Sequence, residues 1–335
     1  MSCTNARTAL IIGATGSFGG HAAAALIKRG WAIRALARDP DAARVRAGRR
    51  MPIDWWRGDA MDGASVVAAA SGVDLIVHAA NPPRYRNWPG LVLPMLENSI
   101  AAARASGARI VLPATVYNFA PDAGPMISEI APQAPVTRKG KIRVAMEGAL
   151  RRAATDAVRS LVVRAGDFFG PAAPNSALAW LVGRRGGAAR FVYAPGAAPH
   201  AFAYLPDLAE TTARLVDRES ELEDLAVFHF AGHVLTPRAL GQAIGRAVGR
   251  PDLPIRPFPH LMLTALAPFN ETFREMVEMR YLWDRPIGLD NAKLTAFLGA
   301  EPHTPLPTAL NAALEDLLTP AAKTPSMARL ALAHV

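Results

Sequence analysis

The sequence predicts an α/β chain, a doubly wound parallel sheet with a smaller C-terminal lobe, and three observations predict it. A short apolar run over 9–12 ends in Gly13, Gly16 and Gly19, and a helical stretch over 21–28 follows. From residue 8 to 170, short apolar runs alternate with Ala-rich helical segments, the pattern of parallel strands crossed over by helices. After Pro171 glycine and proline become frequent (Gly183, Gly186, Gly187, Pro195, Gly196, Pro199) and the alternation fades.

The first strand, over 9–12, is Ala-Leu-Ile-Ile, as apolar as a strand buried on both faces must be. The glycines that follow suit a tight turn, and a Cβ there would keep backbone from approaching a pyrophosphate at the helix N-terminus. Between a strand and a helix, this spacing reads as a dinucleotide site made by Gly13, Thr15, Gly16, Ser17, Phe18 and Gly19. A glycine turn with only a structural role is the alternative. The helix stops at Gly30 and a second strand covers 32–37, which completes a βαβ unit of roughly 30 residues.

Further strands are expected over 53–56, 74–78, 109–112 and 160–163, with helices over 64–70, 94–105 and 141–157. Gly13, Arg38, Asp59, Ala79, Ala114 and Ala165 each fall just past a strand end. Ligands of open α/β sheets bind beyond those ends, so these residues are expected to line one crevice. The domain they define covers 1–170. A lobe over 171–319 carries strands at 190–193 and 227–230 and helices at 208–216, 237–248 and 308–318. Part of it is free to rejoin the sheet, and 320–335 reads as a tail.

Composition narrows the function classes. At 335 residues, 51% hydrophobic and 19% charged, the chain is globular, and it has no run apolar enough for a membrane span. The first strand starts too early to leave room for a signal peptide, and Cys3 is the only cysteine, so a reducing cytoplasm is the expected compartment. The net charge of +9 is dispersed, with short clusters at 44–50, 138–143 and 184–185 and no basic stripe interleaved with aromatics. That argues against a nucleic-acid partner and for anionic small molecules. Of 37 basic residues only five are lysine, and Lys139 and Lys141 stand together near the middle. His200, His260 and His303 lack metal-ligand spacing, and no metal is expected.

The glycine turn, followed by Ala37-Arg38-Asp39-Pro40, Gly58-Asp59-Ala60, His78-Ala79-Ala80-Asn81 and Val163-Arg164-Ala165-Gly166, resembles the short-chain dehydrogenase/reductase superfamily. The resemblance is to its extended and atypical branch, the NAD-dependent epimerase/dehydratase-like proteins, and covers roughly residues 8–318. It implies an NAD(P)-binding Rossmann domain and a substrate-binding C-terminal lobe. Carried over, the pyrophosphate turn is Gly13, Gly16, Ser17, Phe18 and Gly19. Asp59, with Ala60 beside it, meets the adenine amino group. Ala79, Ala80 and Asn81 run beside the middle of the cofactor, and Ala114, Ala165 and Gly166 close the later strand ends. A homodimer is also what the resemblance implies. Arg38, at the end of the second strand, offers a fork to a ribose 2′-phosphate, which favours NADP(H). Asp39 next to it keeps NAD(H) as the alternative.

The catalytic pattern departs from the family. The resemblance implies Ser or Thr and then Tyr-x-x-x-Lys, with tyrosine as the general acid/base. Here Pro113 occupies the hydroxyl position, with Thr115 the nearest hydroxyl. In Pro135-Val136-Thr137-Arg138-Lys139-Gly140-Lys141-Ile142-Arg143-Val144-Ala145-Met146-Glu147, tyrosine has become Lys139 and lysine has become Arg143. At i and i+4 the two share a helix face. Arg143 can donate to ribose hydroxyls but cannot give up a proton. Lys139 becomes an acid if burial lowers its pKa from ~10.4 towards ~7–8, and otherwise binds a phosphate or sugar hydroxyl. Tyr117 and Asp167 are further pocket candidates. Packing for Tyr117, a turn cap for Asp167, an N-cap role for Asp207 and a satisfied core position for His78 are the plainer readings.

The loop over 82–88 and the stretch 258–283 are the expected pocket walls. The second holds Leu261, Met262, Leu263, Phe269, Phe273, Met276, Met279, Tyr281 and Trp283, a lining that favours a small apolar carbonyl or alcohol substrate. The expected activity is therefore NADP(H)-dependent oxidoreduction, with Asn81, Thr115 and Lys139 orienting the substrate. A non-catalytic NADP(H) sensor or scaffold and a sugar-nucleotide epimerase or dehydratase are the alternatives.

Overall fold

The first strand, β1 (Thr8–Ile12), sends alternate residues to opposite faces of a sheet. Ala9 and Ile11 enter one buried core and Leu10 and Ile12 another. The computed structural model that shows this describes residues 7–48, 51–82 and 87–319. Cys3, residues 83–86 of the expected pocket loop and the expected tail over 320–335 lie outside the described residues.

After β1 come α1 (Ser17–Ile27), β2 (Ala32–Ala37), α2 (Pro40–Ala47), β3 (Ile53–Arg57), α3 (Gly63–Ala69) and β4 (Leu75–His78). There follow α4 (Trp88–Ser106), β5 (Arg109–Thr115), the short β6 (Met126–Ile127), α5 (Arg138–Ala154) and β7 (Ser160–Ala165). Helices α1 and α5 both begin earlier than periodicity predicts. The first turn of α1 is Ser-Phe-Gly-Gly, and glycine hides a helix start. Helix α5 starts at Thr137, whose side chain caps it by accepting from the Gly140 N–H at 3.0 Å, so Lys139 and Arg143 both stand on the helix. Helix α4 likewise starts before Pro94, which it carries in its interior.

The second half contains β8 (Asp167–Phe169), α6 (Ala177–Leu181), β9 (Val182–Arg185), β10 (Ala188–Ala194), β11 (His200–Tyr204) and α7 (Leu205–Asp217). Next are β12 (Leu225–His229), β13 (His233–Leu235), α8 (Pro237–Ala247), β14 (Ile255–Pro257), α9 (His260–Leu266) and α10 (Glu271–Glu278). Last come α11 (Tyr281–Asp284), β15 (Gly288–Leu289), α12 (Ala292–Leu298) and α13 (Leu306–Leu318).

The main sheet has seven strands in the order β12-β7-β5-β4-β1-β2-β3. All its pairings are parallel. Strand β12 comes from the second half and rejoins the sheet beside β7, and α7 adds Leu208 and Leu215 to the same core as α1. The remaining strands form small sheets, β14-β10-β9, β13-β11-β8 and β15-β6. The strand order reverses between β1 and β4, the switch point at which a crevice opens beyond the strand ends.

Candidate active site

The switch point is closed by the glycine turn. Gly13 has φ +95°, and a Cβ on it would lie 2.7 Å from the Ala79 carbonyl and 2.8 Å from the Ala80 nitrogen. A Cβ on Gly19 would lie 2.3 Å from the Gly13 oxygen. These two glycines are therefore required by the protein's own backbone, at the tips of β1 and β4. Gly16 faces outward. It caps α1 without any side chain over the first turn, leaving the first-turn N–H groups to meet an anion. A pyrophosphate fits this cradle. Phe18 can contribute only its N–H, because its side chain is buried in the core.

The other expected crevice residues divide. Ala114 and Ala165 are buried inside the sheet. A Cβ on Gly166 would meet the Ala201 carbonyl oxygen at 2.0 Å, so this glycine lets β11 pack beside the end of β7. Asp59 is half-buried, accepts the Met61 N–H at 3.0 Å, and precedes Ala60, whose carbonyl is held by Asn98. Thr15 is half-buried on the turn. Arg38 is exposed past β2, and Asp39 caps α2 by accepting from the Ala42 N–H at 3.1 Å.

Next to the crevice is a cleft of about 240 Å³, to which Asn81, Thr115, Tyr117, Lys139, Arg143, Gly166 and Asp167 all contribute. Its apolar wall is Trp88, Phe168, Trp180, Leu181, Phe258, Met276, Met279, Leu282 and Trp283, with Asn175, His260 and Arg280 among them. The expected wall over 258–283 needs correcting in detail. Of the nine expected residues only Met276, Met279 and Trp283 line it. Leu261 on α9 and Phe269 on the short turn after it are 89% and 87% exposed, and Met262, Leu263, Phe273 and Tyr281 are not among the lining residues.

Lys139 is buried, with 1% of its surface exposed, while Lys141 is exposed. Its Nζ donates to the Glu275 carbonyl at 3.1 Å and stands 3.6 Å from Glu275 Oε2. Burial lowers its pKa to about 8, against the upward pull of Glu275, Glu278 and Asp167. Arg143 stacks over Trp88 at 5.0 Å and reaches Asn81 Oδ1 at 3.5 Å. Beneath it His78 bonds Ser99 Oγ at 2.8 Å through Nδ1, and burial and then Arg143 push its pKa to about 3. Thr115 uses its hydroxyl to accept the Tyr117 N–H at 3.1 Å.

Asp167 belongs to the cleft. The Tyr117 hydroxyl lies 3.5 Å from its Oδ1, and the fully buried His200 lies 3.1 Å from its Oδ2. His200 packs against Trp283 at 4.5 Å between ring centroids. Helix α5 is tied under the cleft by Glu147, which accepts from Arg164 at 2.6 and 3.0 Å and from Asn118 and Gln133. Asp207 is no N-cap. It lies inside the first turn of α7 and accepts the Thr304 N–H and hydroxyl at 2.6 and 2.7 Å. His200 and Glu275 were missed by sequence reasoning. Neither sits in a motif, and each reaches the cleft only through pairing of strands or helices distant in the chain.

A parallel sheet with this order and a glycine turn at its switch point defines a dinucleotide-binding enzyme of the Rossmann type. The chain belongs to the NAD dependent epimerase/dehydratase family, whose model matches residues 9–228. It is thus an enzyme that works with a nicotinamide cofactor. No curated protein matches it. Solved structures that share the fold include UDP-glucose 4-epimerase from Bifidobacterium longum in complex with NAD+ and UDP. That pair has a TM-score of 0.72 and 16% identity, over 92% of this chain and 97% of the other. UDP-N-acetylglucosamine 4-epimerase from Bacillus cereus gives a TM-score of 0.71 at 15% identity, covering 93% and 99%. The UDP-glucose 4-epimerase of Thermus thermophilus, in complex with NAD, gives 0.69 at 19% identity, covering 93% and 99%. Among the described residues no helix is long and apolar enough to cross a membrane.

Proposed function

We propose that this enzyme moves hydride between a nicotinamide dinucleotide and a carbinol carbon of a sugar nucleotide, with Lys139 as the proton carrier. One observation carries the reading: a buried lysine lines the cleft, and the sequence motif aligns it with the position at which the resemblance implies a tyrosine. The sequence favoured an apolar carbonyl substrate. The family match and the sugar-nucleotide epimerases among the solved neighbours favour the alternative, and membership of an enzyme family weighs against a non-catalytic sensor.

Bound nicotinamide supplies or takes up the hydride, and the chain's own residues do the rest. With a pKa of about 8, Lys139 populates both protonation states near neutral pH, as an acid/base group must. As the free amine it takes the proton of a substrate hydroxyl, and as the ammonium it returns one to a carbonyl oxygen. Arg143 remains charged throughout and, with Arg280 at the same cleft, suits a diphosphate. Asn81, Thr115 and Tyr117 supply hydrogen-bonding groups for ribose or sugar hydroxyls.

A second reading, reduction of an apolar carbonyl compound, is favoured by Trp180, Phe258, Met276, Met279, Leu282 and Trp283 on the wall. For the cofactor, the Bifidobacterium longum and Thermus thermophilus neighbours are complexes with NAD. Arg38 is exposed just past the end of β2, and one oxygen of Asp39 is engaged in capping α2, which supports acceptance of NADP(H) as well. The test is incubation with NAD+ and UDP-glucose, followed by NMR for the epimerised sugar, in parallel with NADPH and benzaldehyde followed by nicotinamide absorbance. Epimer formation abolished in Lys139→Met supports the main reading, and benzaldehyde reduction alone supports the second. Unchanged turnover in Lys139→Met overturns the role of Lys139.

A further inference from the structure

Lys139 is the second residue of α5, at the positive end of a helix of 17 residues, and its side chain is only 2% exposed. Both circumstances oppose an ammonium ion there. The wall offers little compensation of its own, since Met276, Met279 and Leu282 are apolar. A residue of α10 faces the Nζ. Glu275 presents its backbone carbonyl at 3.1 Å and its carboxylate Oε2 at 3.6 Å, and it is itself buried. The other carboxylate oxygen is held by Arg138 Nη2 at 3.1 Å, and the Arg138 N–H donates to Glu278 Oε1 at 3.0 Å. The first turn of α5 and the last of α10 are therefore clasped together. The same helix carries Met276 into the cleft, with Met279 just beyond its end.

We propose that Glu275 is a positioning residue for Lys139: the cleft wall α10 delivers the counter-ion that keeps the Lys139 ammonium in the cleft, so that wall and proton carrier act as one unit. The inference rests on Lys139 being the proton carrier. Other charged and titratable groups face the amine as well. Glu278 comes from α10 and Asp167 from β8, with His200 behind it and Tyr117 beside it, while Arg138 and Arg143 flank the lysine on α5 itself. Burial is the largest influence on Lys139 and lowers its pKa, and Glu275 is the largest of those that raise it. Replacing Glu275 by glutamine keeps the carbonyl acceptor and removes the charge, which isolates its electrostatic part.

The test needs no substrate. With only five lysines in the chain, side-chain 15N labelling gives a spectrum in which Lys139 is assigned by its absence in Lys139→Arg. The amine is expected to titrate near 8 in the wild type. In Glu275→Gln the titration moves down by about one unit or more, the effect of losing an opposite charge within reach. Glu275→Asp, which restores the charge, stays close to the wild type. Glu278→Gln moves it in the same direction by less and is read on its own if Glu275→Gln does not fold. An unmoved titration in Glu275→Gln, or in Glu278→Gln where that stands in, overturns the proposal. A shift without turnover keeps it and counts against the proposed function, whereas turnover without a shift does the reverse.

Discussion

The turn from Gly13 to Gly19 is built by backbone within a few consecutive residues, whereas the cleft beside it is assembled by side chains spread between Asn81 and Trp283. At the turn, two of three glycines are required: a Cβ on Gly13 would strike the end of β4, and one on Gly19 would strike the backbone of Gly13. At the cleft, the groups facing one another come from α5, β8 and the α9–α11 segment. A backbone-made site tolerates no change of residue type and keeps its family pattern. A side-chain-made site can exchange one acid/base group for another while the scaffold stays, and the proposed role of Lys139 in place of a tyrosine is an exchange of that kind.

Substitutions that separate the two regions test this contrast. The largest expected effect is on the chemistry: Lys139→Met lowers kcat by about 10²–10⁴-fold, the usual worth of a general acid/base, and leaves NADH affinity near the wild-type value. Gly13→Ala is expected to do the opposite. Strain at φ +95° and the clash with Ala79 cost on the order of 1–3 kcal/mol, or roughly five- to 150-fold in cofactor affinity. Fluorescence titration with NADH checks both. If Gly13→Ala binds normally, the cradle is elsewhere. A smaller effect is expected at Arg38, where alanine weakens NADPH by about tenfold, one charge-assisted bond, and leaves NADH unchanged. Equal affinities for NADPH before and after would remove Arg38 as a selector.

The contrast also explains what was legible in the sequence. The strands β1, β4, β5 and β7 stand where short apolar runs predict them, because parallel strands buried on both faces have to be continuous in hydrophobicity. Strand β2 and the edge strand β3 also stand where expected, although Arg34 and Asp54 interrupt their runs. Helix starts are less visible. Those of α1 and α5 begin with glycine or polar residues, and the start of α5 decides whether Lys139 and Arg143 share a face. In the cleft, Lys139 was found because it departs from a pattern of fixed spacing. Asp167 reads from the sequence as either a pocket carboxylate or a turn cap, since only the pairing of β8 with β11 brings His200 to it. Glu275 had no local signal at all. It lies in a stretch read for its apolar residues, and the clasp between α10 and α5 spans 136 residues of chain.

As the proposed proton carrier, Lys139 must change protonation state during turnover. The measurement that tests it is the pH dependence of hydride uptake by NAD+ from the substrate, in the wild type and in Lys139→Arg. Oxidation requires the free amine, so the wild-type rate is expected to rise with pH through a single ionisation near 8 and then level off. Arginine does not lose its proton in this range, so Lys139→Arg is expected to be slow and to lack that ionisation. The same rise in Lys139→Arg would assign the proton to another group and contradict the account.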